Sequence, residues 1–281
     1  MLEIFQIPFM QKALIISCIA GSFFSFLSVY IVLRRIVFVG IALSQIAACG
    51  FSLGYLLGIS PSVCSIIFSL LGVAVFSFQQ SERIIPRESI IGLTYALAAS
   101  LAILFAAKNA KAEAYALNLL SGNILTVTNS QIYLVLAVFS GATLLHYLFY
   151  KQFIFISFDL ETAATCGLNT GRWNFLFYVI LGVTISIGMR TLGILLTFGY
   201  LVLPALIALV FVQRIKKVFI VAVLSCLITT FLGLYLSFKL DIPSGPGIVT
   251  LLCFILGVSY LFRKSANIIT PVILAMIRKE K

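Results

Sequence analysis

The sequence predicts an all-α, polytopic membrane protein: eight or nine spanning helices, one short re-entrant or interfacial helix and one short helix between spans, in a single domain over residues 1–281. Three observations predict it. Hydrophobic residues make up 62% of the chain, charged residues only 10%, and the mean hydropathy is +1.18. A soluble domain carries about a quarter charged residues, so this chain has too little polar surface to cover a water-soluble globule. The apolar runs are continuous and long enough for helices to cross a bilayer. The alternating segments of about ten residues that build a barrel are absent.

In chain order, Phe9 to Leu33 is the first span, ended by Arg34 and Arg35. Ile36 to Gly58 is the second and carries Gly40, Ala42, Ser44, Ala47, Ala48, Gly50, Ser52 and Gly54. Small residues at this density let neighbouring helices or a substrate approach the backbone. Ser60-Pro61 breaks the chain, and Ser62 to Phe78 is the third span. A loop with Glu82, Arg83, Arg87 and Glu88 leads to the fourth, Ser89 to Ala107. Lys108 to Gln131 is mixed; its apolar part, Leu117 to Leu125, is too short to span and reads as a re-entrant or interfacial helix broken at Gly122. Ile132 to Tyr150, Trp173 to Gly188, Thr191 to Val212, Val218 to Phe238 and Pro243 to Phe262 complete the set, with Pro204 bending the seventh span by removing an internal hydrogen bond.

Between the fifth and sixth spans lies Ser157 to Leu168, a polar segment with helical character. Asp159 is placed to cap a helix N-terminus through its carboxylate. Leu160 to Cys166 is rich in Ala and Thr, and Gly167 closes the turn in a left-handed conformation. Such a helix either receives a soluble partner or lies flat at the membrane interface. Basic residues settle its side. Arg34/Arg35, Arg83/Arg87, Lys151/Arg172, Arg214/Lys216/Lys217 and the basic tail fall together if nine spans alternate, against Lys12, Lys108, Lys111 and Lys239 on the other face. The richer face is cytoplasmic, which places the Ser157 segment inside the cell and the N-terminus outside. The net charge of +11 is explained by this orientation and calls for no nucleic-acid partner.

The six cysteines form no Cys-x-x-Cys pair, and all but Cys166 lie in apolar runs, so they read as small membrane-buried residues. Ile15-Ile16-Ser17-Cys18 has the look of a lipoprotein cleavage site, but the five residues between Lys12 and Cys18 cannot supply a signal peptide's apolar region. The N-terminus is expected to remain uncleaved.

Polar residues within spans are the functional candidates, because burying them in lipid is costly. All eight acidic residues fall in connections or at ends, which argues against a proton relay or a sodium-coupled carboxylate. His146, the single histidine, bonds a neighbouring helix or reaches the interface. Arg190 sits between two apolar runs and is either interfacial or faces an internal cavity. Ile41, Gln45 and Cys49 share one helix face at four-residue spacing, with Ser44 and Ser52 beside them; Gln45 either bonds another helix or lines a pathway. No pair of residues within the spans suits catalysis.

The chain resembles the permease subunits of bacterial ABC importers for zinc, manganese and iron. Arg34-Arg-Ile-Val-Phe-Val-Gly-Ile-Ala-Leu-Ser-Gln45 is similar to that family's Arg-Arg/Gly-Met-x-x-x-Gly-Asp-x-Leu/Ile-Ser/Ala-His. Leu119-Leu-Ser-Gly-Asn-Ile-Leu125 resembles its Leu-Phe-Gly-Asp/Asn-Ile-Leu. Ser157-Phe-Asp159 and Gly167 match its cytoplasmic segment. Thr191 to Leu196, Leu203-Pro-Ala205 and Pro243-Ser-Gly245 match further pieces in the same order.

The resemblance implies a non-enzymatic permease of a bacterial inner membrane. A cytoplasmic ATPase subunit would bind the ATP, a solute-binding protein would deliver substrate from outside, and a second permease subunit, identical or not, would complete the pore. It assigns coupling to the ATPase to Ser157, Phe158, Asp159, Glu161 and Gly167, while the substrate-pathway candidates remain those read from the spans themselves, Ser44, Gln45, Cys49 and Arg190. It also exposes a departure. The family's Asp and His on the second span fall at Ile41 and Gln45. A carboxylate and an imidazole on one helix face suit a divalent cation; isoleucine cannot ligate, and an amide is a weak ligand. Arg190 stands where the family commonly has Gln, and its charge repels a bare cation. No metal ligand is therefore assigned. A sister subunit that carries the ligands, selectivity held by the binding protein, and a chelated or neutral cargo are the alternatives. A non-transporting accessory or sensor protein is the contrasting class.

Overall fold

The computed structural model describes residues 7–78, 86–108, 124 and 127–279. The chain there is helical, with α1 Pro8–Leu33, α2 Val37–Leu57, α3 Pro61–Phe78, α4 Arg87–Ala106, α5 Asn129–Leu148, α6 Tyr150–Phe158, α7 Leu160–Thr165, α8 Thr170–Leu192, α9 Ile194–Phe211, α10 Ile215–Leu240 and α11 Ser244–Lys279. Eight of these are long and apolar enough to cross a membrane, and Pro61–Ser77 within α3 is a shorter apolar helix. Eight or nine spans are thus what the fold supplies. The loop with Glu82 and Arg83, and most of the Lys108 to Gln131 segment, where a helix broken at Gly122 is expected, lie outside the described residues; Ile124 and Val127, towards its end, are buried.

The bundle is built around α1. It packs on α9 and α10, and on α5 along another side. Phe24, Leu27, Tyr30 and Ile31 are buried there with Phe139, Phe177, Leu181 and Tyr200. The small-residue helix α2 lies between α3 and α4. Its glycines explain the closeness: a Cβ on Gly50 would stand 2.6 Å from the Cys64 carbonyl oxygen and 2.6 Å from the Phe68 Cβ. With no side chain in the way, the backbones of α2 and α3 pack directly. Ser69 extends the contact to α8 by donating to the Gly182 carbonyl at 2.9 Å.

Several boundaries differ from the hydropathy reading, among them both ends of α8. Helix α8 starts at Thr170, not Trp173, because the Asn169 side chain accepts from the Arg172 N–H at 3.1 Å and caps it before the apolar run begins. It also runs past Gly188 to Leu192, so Arg190 belongs to its last turn and not to a break. The chain reverses one residue later, at Gly193, with φ 87° and ψ 163°. The turn is tight: a Cβ on Gly188 would lie 3.4 Å from the Thr197 Cγ2, nine positions further on. At the other end of the chain, α11 continues as a helix beyond Phe262. Arg263 and Lys264 end the apolar run but are good helix formers, so they do not end the helix.

The ends of the bundle sort the charges. Arg34 reaches Ser157 and Asn174, and the α1 end near Val29 packs with Ala205, Ala208, Val218 and Ala222. Arg263 donates to the carbonyls of Leu209 and Val210 at the end of α9. The first arginine pair, the Ser157 segment, Arg214/Lys216/Lys217 and Arg263 therefore share one face, as alternation of the spans requires. The excess of Lys and Arg marks it as the cytoplasmic side.

Candidate functional site

At that face the chain forms a short handle. Asp159 has extended backbone angles and is the N-cap of α7. Its carboxylate accepts the N–H groups of Glu161 and Thr162 at 3.0 Å each and is also bonded by the Thr162 hydroxyl. These donors, the Thr162 hydroxyl foremost, hold the Asp159 carboxyl below the usual carboxylate range. Gly167 closes the helix with φ 83°. The Gly167 N–H returns to the Ala164 carbonyl and the Leu168 N–H to the Ala163 carbonyl, satisfying carbonyls that the last turn leaves open.

Ala163 is fully buried and pins the handle to the bundle, while Phe158 and Leu160 are 58% and 51% exposed on either side of the cap. Two exposed apolar side chains thus flank an ordered carboxylate, a combination of the kind found where proteins meet. Ser157 is placed differently. It lies in the last turn of α6, it is buried, and its hydroxyl donates to the Phe153 carbonyl while accepting from the Arg34 Nε at 2.8 Å. It is an internal anchor of the handle and not part of its outer surface. Beside it opens a cavity of about 270 Å³ lined by Arg34, Arg35, Phe158, Leu160, Asn174 and Tyr178.

The four pathway candidates occupy different environments along α2 and α8. Ser44 is fully buried and its hydroxyl donates to the Gly40 carbonyl at 2.9 Å, so it faces inward on α2. Cys49 is 2% exposed. Ile41 and Gln45 are half-buried and lie on a strip of α2 that also carries the exposed Phe38. Arg190 is half-buried and donates through Nη1 to the Ser62 hydroxyl at the start of α3. Its neighbour Met189 packs with Ala47, Ala48 and Phe51, which sets Arg190 level with the later, outward half of α2. A second cavity, about 620 Å³ between α1 and α5, is lined mainly by apolar residues such as Phe23, Phe26 and Phe139. None of the four lines either cavity. Among the described residues, no group of three or more His, Cys, Asp or Glu side chains is placed to hold a metal ion.

His146 is not interfacial. It is fully buried, its Nδ1 lies 3.0 Å from the Ala142 carbonyl of its own helix, and its ring stacks on Phe153 at 4.6 Å with Phe23, Phe26, Tyr30 and Phe177 around it. The aromatic cage explains its place in the bundle. In the sequence Arg34 ends the first span, orients the chain and opens the first family motif, and none of these points to a partner for its side chain. The structure gives it contacts to α6 and α8, and its partners lie 123 and 140 positions away, a separation that no local pattern signals.

Known proteins share this architecture. The profile of the ABC 3 transport family matches residues 6–263. The chain is 28% identical over 270 residues to a Haemophilus influenzae protein named "Probable iron transport system membrane protein", covering 96% of this chain and 95% of that one. It is 26% identical over 257 residues to the manganese transport system membrane protein MntC of Listeria monocytogenes, covering 92% and 91%. Its fold superimposes on a chain of PsaBC from Streptococcus pneumoniae, solved in complex with Fab, with a TM-score of 0.82 at 25% identity, over 92% of this chain and 94% of that one. With a family match that runs through nearly all of the helical bundle, the chain belongs to the ABC 3 transport family and is a multi-pass membrane permease.

Proposed function

We propose that this chain is the translocating subunit of an ATP-driven importer of a divalent metal ion, manganese or iron. The observation that carries this reading is the capped handle on the cytoplasmic face, within a chain whose relatives are named for manganese and iron transport. In this role a separate ATPase subunit seats Phe158, Asp159, Leu160 and Glu161, and ATP is bound and hydrolysed there. Ser157 and Gly167 fix the handle from within. A second permease subunit completes the pathway, and an external binding protein supplies the cargo. This chain performs no chemistry on either ATP or substrate.

The α2 strip with Ile41 and Gln45 offers a cation no strong ligand. Selectivity then rests with the binding protein or with a sister subunit that carries an acidic and imidazole pair. Arg190 favours a second reading in which the cargo crosses as a chelate of reduced positive charge, since its guanidinium opposes a bare cation.

Co-purification with the ATPase tests the docking. Replacing Phe158 and Leu160 with Asp is expected to release the ATPase while the permease still folds. Retention of the ATPase by this variant overturns the assignment. Uptake of free metal against chelated metal in the same reconstituted complex separates the two cargo readings.

A further inference from the structure

Arg34 does more than mark the cytoplasmic side. Its Nε donates to the Ser157 hydroxyl at 2.8 Å and its Nη1 to the Asn174 side-chain oxygen at 2.9 Å. The Cζ of the same guanidinium lies over the Phe177 ring, 3.9 Å from its centroid. One side chain at the end of α1 is thus fixed to α6 and to α8 at once. A planar, delocalised guanidinium can make forked hydrogen bonds and stack on a ring together; an ammonium group cannot reproduce that set.

The contacts have a direction. Ser157 stands two positions before Asp159, so the Arg34–Ser157 bond holds the root of the handle. Ser157 accepts from Arg34 because its own proton is committed to the Phe153 carbonyl. Asn174 and Phe177 lie near the start of α8, the helix whose last turn carries Arg190 and packs against α2 through Met189. Behind Phe177 the rings of Phe153, Trp173 and His146 form a continuous packed layer. Packed layers of this kind shift as units and are poorly compressible.

We propose that Arg34 is the positioning residue that transmits movement of the ATPase-seated handle to α1 and α8, and so to the outward half of the pathway. The inference rests on the reading of α7 as the ATPase contact. Under a load on the handle, Ser157 and Arg34 move together, and α8 follows through Asn174 and Phe177. Without the guanidinium, the handle still presents Phe158, Asp159 and Leu160 to its partner, but its displacement is taken up locally beside the cavity that Arg34 lines.

The test uses the complete complex in proteoliposomes: this chain, its partner permease, the ATPase and the binding protein, with radioactive manganese as the probe. For Arg34→Gln the expected result is undiminished ATPase co-purification, ATP hydrolysis within about twofold of wild type, and a fall of roughly tenfold in metal taken up per ATP, in the range typical of coupling between sites. Arg34→Lys keeps the charge but not the fork and is expected to restore only part of the ratio. Ser157→Ala removes one acceptor with minimal change of volume and is expected to lower the ratio about threefold on the same scale; it decides the question if Arg34→Gln does not assemble. An unchanged uptake-per-ATP ratio in Ser157→Ala and in any assembled Arg34→Gln complex overturns the proposal. Failure of the underlying docking assignment looks different: the Phe158 and Leu160 variants then retain the ATPase, whatever Arg34 does.

Discussion

The Thr162 hydroxyl and backbone N–H both bond the Asp159 carboxylate, closing the first turn of α7 on itself. Because these bonds favour the ionised form, the folded carboxyl titrates below its ordinary value of 3.8. A depressed carboxyl contributes stability that is present above the unfolded value and is lost as pH falls through the folded one. The cap is therefore expected to persist through the ordinary carboxylate range and to open only at lower pH. Hydrogen exchange of the Glu161 and Thr162 amides measures this directly. Asp159→Ala should abolish their protection at neutral pH, and Asp159→Asn, which still accepts, should retain most of it.

Gly193 carries a second prediction. Its φ of 87° with ψ of 163° belongs to a region that is essentially reserved for glycine. Gly193→Val is expected to destabilise the protein by about 1–3 kcal/mol, seen as a lower Tm of the purified permease. An unchanged Tm would show that the α8–α9 turn relaxes without cost.

His146 is expected to be structural. His146→Phe preserves a ring inside the cage and should leave metal uptake near wild type. His146→Ala leaves a void among packed rings and should lower stability by about 3 kcal/mol. A folded His146→Phe protein that has lost transport would show that the imidazole takes part in transport.

The α2 strip can be converted. Ile41 and Gln45 sit four positions apart on a half-buried face, so Ile41→Asp with Gln45→His places a carboxylate and an imidazole side by side. Titration with manganese is expected to reveal binding that the unaltered chain lacks at this position. Absence of binding in a folded double variant would mean that the strip does not face the cargo.

Local physics was legible in the sequence, and register was not. The handle could be read because a cap and a glycine stop act within a few residues: Asp159 and Gly167 determine their own turns. The spans were legible because hydropathy reports burial in lipid. Hydropathy also misplaced the ends of α8, since Asn169 starts that helix through a side-chain bond and Gly193 ends it through a backbone conformation, and neither depends on apolar content. Nearly uniform apolar runs carry little information about which face meets which helix. That is why the sequence sets Ser44 beside Gln45 as a pathway candidate, although its hydroxyl is turned back to Gly40 and Gln45 lies on the half-buried strip. It is also why Arg34 gave no sign of Ser157 and Asn174.

The central claim is that the α7 handle couples ATP hydrolysis to transport through this chain. Its most direct test is manganese uptake by proteoliposomes containing the whole complex, comparing wild type with Asp159→Arg plus Glu161→Arg. The account predicts ATP-dependent uptake for the wild type and a loss of roughly tenfold or more for the variant, with the Tm of the permease essentially unchanged. Equal uptake by the two proteins, or uptake that continues without the ATPase, would contradict it.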